Sequence, residues 1–203
     1  MRLFAALAAL GLVLAGCAAP KAPFASDAQI AAVSFRDAGP AYLRLYTMIN
    51  NRTGAGAHSS LMVNGSQRVI FDPAGSFYAS IVPDRDDVLY GITPAVATAY
   101  QSSHARSTHH VVIQTVAVTP QQAETALALV QGYGAVPSAF CASATSNVLR
   151  QVPGFESVAN TMYPDRLVAQ FGTLPGVRTE EYHEDDSPDL QAALKAQNAA
   201  LSQ

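Results

Sequence analysis

The sequence predicts an α+β domain, and three local signals carry that assignment. The first is a hairpin: His58 to Val63 and Gln67 to Asp72 flank Asn64-Gly65-Ser66, a turn with a residue suited to positive φ. The second is Thr108 to Val118, a β-branched run of strand length. The third follows at once, where Thr119-Pro120-Gln121-Gln122 supplies an N-cap, a proline at the first helical position and a capping-box glutamine. That order of strands and helices belongs to the α+β class.

Each element can be justified in turn. With a three-residue loop, Leu61, Val63, Val69 and Phe71 share one face of the hairpin and form a core face. His58, Ser60, Met62, Arg68, Ile70 and Asp72 share the other, with Val63 opposite Gln67 and His58 opposite Asp72. A two-residue loop would slip the register and separate His58 from Asp72. Thr93 or Pro94 to about Ser103 reads as a short helix, and the capped helix after Thr119 runs to Val130 or Gln131, stopping at Gly132 and Gly134. A further helix starts near Pro137 or Ser138 and ends before Pro153-Gly154. Cys141 falls near its beginning.

Composition bounds the class. The chain has 203 residues, 49% of them hydrophobic and 13% charged, with a net charge of −3. That supports one folded core and excludes a disordered chain or a general nucleic-acid binder. Residues 28–178 read as the globular domain. Beyond them, Glu180, Glu181, Glu184, Asp185, Asp186 and Asp189 read as a solvated acidic tail over 179–203, with a helix from Pro188 to Leu201.

The N-terminus reads as an address. Arg2 is a short positive region, Leu3 to Leu14 an apolar run too short for a comfortable span, and Leu14-Ala15-Gly16-Cys17 resembles the bacterial lipobox. The resemblance implies a signal peptide over 1–16, lipidation of Cys17 and a tether over 17–27. Ala18 after the Cys implies sorting to the outer membrane, facing the periplasm. The partner implied is therefore the membrane, through the lipidated N-terminus, and no nucleic acid. Lipidation also leaves Cys141 without an intramolecular partner.

A chemical site follows from three residues. A thiol attacks as thiolate, and Cys141 near a helix start sits where amide donors favour negative charge. His58 can take the thiol proton while Asp72 fixes its tautomer. Neither metal nor organic cofactor is required by that chemistry. Each residue also has a plainer reading: a buried packing thiol, a strand histidine, a turn aspartate.

The segments Ala57-His58-Ser59-Ser60-Leu61-Met62-Val63 and Val69-Ile70-Phe71-Asp72-Pro73-Ala74-Gly75 resemble the His-bearing hairpin of permuted NlpC-like hydrolases. Phe140-Cys141-Ala142-Ser143-Ala144-Thr145-Ser146-Asn147-Val148-Leu149 is similar to their nucleophile helix. Lecithin–retinol acyltransferases share that order. The resemblance spans roughly residues 40–155 and implies a papain-like domain acting on a peptidoglycan peptide bond or, second, a lipid ester or amide. This chain departs from the pattern at Phe140, where relatives carry Asn or Asp, and at Asp72, where the third member is often His. The competing class is a non-catalytic envelope lipoprotein used for binding or structure.

Other candidates are set aside at this level. His109 and His110 alternate faces along one strand, so the two cannot readily share an ion. His104 and His183 read as solvent-facing, and Tyr133 as a loop aromatic packed on the domain. No CxxC, HExxH, P-loop or GxSxG motif occurs.

Overall fold

A computed structural model describes residues 24–203. The stretch expected to be a signal peptide, Cys17 and the first part of the expected tether lie outside the described residues. Among the described residues, no helix is long and apolar enough to cross a membrane.

The chain forms a mixed α+β structure. In chain order it runs α1 (Asp27–Val33), β1 (Tyr42–Asn50), β2 (Gly56–Asn64), β3 (Arg68–Phe71), β4 (Asp84–Arg85), β5 (Val88–Leu89), α2 (Pro94–His104), β6 (His109–Ala117), α3 (Pro120–Gln131), α4 (Cys141–Leu149), α5 (Pro164–Gly172), β7 (Arg178–Tyr182) and α6 (Leu190–Leu201). The seven strands make one sheet in the order β4-β5-β3-β2-β1-β6-β7, with antiparallel pairing between neighbours.

Both faces of the sheet are covered. Leu43, Leu45, Leu61, Val63, Val69 and Phe71 pack with Leu127, Val148 and Leu167 of α3, α4 and α5. Tyr46, Met48, Met62, Ile70 and Val111 pack with Val96 and Tyr100 of α2 and Leu194 of α6. The central strands therefore lack a solvent face, which explains why Tyr42–Asn50 carries no clean alternation for a sequence reading to detect. The capped helix forms as expected: Thr119 and Gln122 complete a capping box, with Pro120 in the first turn.

Three expectations are corrected. The hairpin has a three-residue loop, but it comprises Gly65 to Gln67, so Val63 pairs with Val69 and Leu61 with Phe71. Asn64 stays in the strand, its amide reaching the Pro40 carbonyl, while Ser66 at the turn is held by Glu124 of α3. The ladder is displaced by two residues, which preserves the faces. His58 and Asp72 remain on one side, diagonal to each other instead of opposite. The acidic tail is the second correction. β7 pairs with β6 as an edge strand, and α6 packs against α2 and lays Leu194 into the core of that face, because its apolar positions need burial. At the other end Ala25, assigned to the tether, is buried in the domain, and its N–H bonds the Asp84 carbonyl.

Candidate active site

The structure brings His58, Asp72 and Cys141 together from three separate elements. His58 lies near the start of β2, beside a β-bulge: Met48 pairs with His58 and Ile49 with Gly56, leaving Ala57 as the extra residue. Bulges of this kind re-aim side chains. Gly56 is required there, since a Cβ would fall 2.5 Å from the Asp165 backbone nitrogen. Asp72 is the first residue after β3, and Cys141 is the first residue of α4.

Asp72 is placed by more than the hairpin. Its N–H bonds the Asp87 carbonyl at 2.7 Å, and the Asp87 carboxylate accepts from Ala74 N–H at 3.3 Å and Val136 N–H at 2.6 Å. Asp87 thus joins the turn bearing Asp72 to the loop leading to Cys141. Both segments contain an alanine at positive φ, Ala74 at 58° and Ala139 at 71°. Such left-handed conformations cost of order 1 kcal/mol or more and concentrate at functional sites.

The charges are arranged as a relay. His58 Nε2 lies 2.7 Å from Asp72 Oδ1, which leaves Nδ1 for the Cys141 thiol. Burial opposes charge on the imidazole, but the Asp72 and Cys141 interactions outweigh it and raise His58 to about 10. Burial alone would push the Cys141 thiol up. The hydrogen bond and charge of His58, with the N–H groups of Ser59 and Ala142, instead bring it below its ordinary value. These opposite shifts both favour a thiolate–imidazolium pair. Phe140, at the N-cap of α4, makes no side-chain hydrogen bond to the first turn. The amides there are left to a thiolate or an oxyanion.

Asp72 is held below its usual range: burial disfavours its charge, but His58, the electrostatic influence of His104, and the Tyr100 hydroxyl overcome that. Tyr100 Oη donates to Asp72 Oδ1 at 2.6 Å and lies 2.7 Å from Ser60 Oγ. Burial and the Asp72 charge push Tyr100 well above its ordinary value, so it remains a neutral donor. His104, expected in solvent, packs behind the pair instead. Its ring lies nearly parallel to His58 with centroids 6.1 Å apart, and Nδ1–H donates to the Tyr100 carbonyl at 2.7 Å. Burial lowers His104 and so keeps it neutral beside the imidazolium.

Tyr100, His104 and Asp87 were missed by sequence reasoning. Tyr100 and His104 stand at i and i+4 of α2, a helix otherwise built largely from Ala, Ser and Thr, and that spacing was the available signal. Asp87 carried none. Tyr133 packs against Phe71 with ring centroids 5.3 Å apart, as expected of a loop aromatic. His109 and His110 do alternate along β6.

Gly75 presses on the site from the Asp72 side. A Cβ there would lie 1.8 Å from Asp72 Oδ2. Gly75→Ala is expected to displace the carboxylate, loosen His58 and slow alkylation of Cys141 at neutral pH, although the substitution adds only a methyl group. Thiol-labelling kinetics check this; an unchanged rate would mean the turn moves and Asp72 does not.

Comparison with known protein families, with characterised proteins and with solved structures gives no match to this chain.

Proposed function

We propose that this chain is a lipid-anchored envelope thiol hydrolase with a permuted papain-like domain, acting on an amide bond of a peptidoglycan peptide. Lipidation of Cys17 would tether it to the outer membrane, facing the periplasm. The observation that carries the reading is the convergence of Cys141, at the start of α4, on a His58 imidazole already paired to a buried Asp72. Three plainer readings of three separate residues do not account for that geometry.

The chemistry follows from the pair. The Cys141 thiolate attacks the amide carbon, and the oxyanion forms at the first-turn amides of α4. His58 gives its proton to the departing amine as the C–N bond breaks, leaving a thioester on Cys141. Neutral His58 then takes a proton from water, whose oxygen attacks the thioester. The acid leaves, and thiolate and imidazolium are restored. Throughout, Asp72 holds the imidazole orientation and stabilises its charge.

One observation favours a second substrate, a lipid ester. Phe140, Met162 and Tyr163 are exposed hydrophobic residues. Phe140 adjoins Cys141. The segment bearing the other two runs from hydrogen bonds on α4 at Asn160 and Thr161 to contact with Gly56 at Pro164 and Asp165. An acyl chain would find apolar surface beside the thiol.

The test is to trap the acyl-enzyme. The protein is incubated separately with muropeptides and with phospholipid esters, quenched in acid and analysed by mass spectrometry. A thioester on Cys141, absent in Cys141→Ala, is the expected result, and the substrate that leaves it identifies the class. An unmodified thiol with both, together with full envelope function in Cys141→Ala, would assign the chain to the non-catalytic binding lipoproteins.

A further inference from the structure

The edge of the sheet away from β3 carries a second cluster. His110 of β6, Glu181 of β7 and His183 just beyond β7 each offer a ligand atom, and these atoms all lie within 4.8 Å of one another. The sequence reading considered His110 with its neighbour His109 and found opposite faces. The cross-strand register supplies the partner instead: Val111 pairs with Tyr182, which brings the residues on either side of that rung together. The His110 and His183 rings stack at 4.6 Å with 15° between planes, and His183 Nε2 lies 3.0 Å from Glu181 Oε2.

A separate observation concerns the orientation of His110. Its Nδ1–H donates to Asn51 Oδ1 at 2.7 Å, which leaves the Nε2 lone pair as the binding atom. Asn51 is itself fixed, its amide donating to the Arg106 and Ser107 carbonyls at 3.3 and 3.0 Å. A histidine held through its other ring nitrogen by a locked acceptor is the usual arrangement behind a metal-bound imidazole.

We propose that His110, Glu181 and His183 bind one divalent transition-metal ion of the zinc type, leaving its remaining coordination open to solvent. Two imidazoles and one carboxylate suit such an ion, whereas calcium and magnesium take oxygen donors. Bonds of roughly 2.0–2.2 Å bring tetrahedral ligand atoms about 3.3–3.6 Å apart, so closure needs only side-chain rotation of about an ångström. The ion would clasp the edge strand β7 to β6. Since β7 leads to α6, it would secure the segment that covers the second face of the sheet. The cluster shares no residue with the Cys141 site.

The full chain, without an affinity tag and in detergent, is titrated with Zn2+ by calorimetry and with Co2+ by visible absorbance. One saturable ion per chain is expected, with a raised Tm. His110→Gln and His183→Gln should each weaken Zn2+ binding at least about tenfold, and Asn51→Ala about 10- to 100-fold. Absence of a thiolate charge-transfer band with Co2+ keeps the ion off Cys141. No saturable binding, affinity unchanged in both histidine variants, a thiolate band, or equal competition by Ca2+ would each overturn the assignment.

Discussion

In a chain carrying Cys17→Ser, so that Cys141 is the only thiol, alkylation is expected to level off at a lower pH in the parent than in His58→Ala. The rate follows the thiolate fraction. With the Cys141 thiol held below its ordinary value by His58, that fraction exceeds an unperturbed thiol's at any given pH and falls as pH drops through the lowered value. His58→Ala removes the hydrogen bond and the positive charge. The thiol, only 7% exposed, then responds to burial and moves above the unperturbed value of about 8.5. At pH 7 no more than a few per cent of it then remains ionised. A less acidic thiol gives a more nucleophilic thiolate, which offsets part of the loss, so the net fall at pH 7 should be about tenfold or more. The variant's rate should also keep rising with pH beyond the point at which the parent's levels off. A parent thiol that reacts only after unfolding would reduce Cys141 to a packing residue.

Much of this site was legible because parity survives where register does not. Alternation along residues 58–72 placed His58 and Asp72 on one side, and a displacement of two residues left them there. The diagonal arrangement depends on Asn64 remaining in the strand and on Glu124 docking the turn, contacts made across the fold. No local pattern records them. Likewise the Cys141 helix could be placed from its flanking prolines and glycines, but its approach to His58 depends on α4 packing over β2. β1 was missed because a strand buried on both faces has no period to find. β7 reads as a tail in the sequence because its residues are mostly charged or polar and its pairing with β6 rests mainly on the backbone.

The supporting residues show why the site needs a whole domain. A carboxylate only 3% exposed is costly to ionise unless every partner is in place. Here the partners are His58 of β2 and Tyr100 of α2, while the Asp87 carbonyl holds the Asp72 backbone. Tyr100 and His104 extend one turn of α2 toward Asp72 from behind, and the burial of His104 leaves the positive charge on His58 alone. The same helix buries Val96 and Ala97 in the core of that face, so packing and electrostatics fix one orientation together.

Asp72→Ala is therefore expected to damage stability as well as reactivity. It strands a buried imidazole without its counter-charge and the Tyr100 hydroxyl without its acceptor. Breaking a buried pair from one side costs about 3–5 kcal/mol, whereas Tyr100→Phe, which removes one donor to a charged group, should cost about 1.5–3 kcal/mol. The pH dependence gives the sign. Asp72 is lowered on folding, so its contribution is fully present above the unfolded value of about 3.9 and is lost as pH falls through the folded value. His58 is raised on folding, so its contribution is full below about pH 6.5 and declines toward about 10, because the unfolded histidine is already neutral there. The gap between parent and Asp72→Ala should then be widest between about pH 4 and 6.5 and narrow on both sides. Urea unfolding at pH 3, 5.5 and 9 measures it. A gap below about 1 kcal/mol, or one of constant size at all three pH values, would mean that Asp72 and His58 do not form a charged pair in the folded protein.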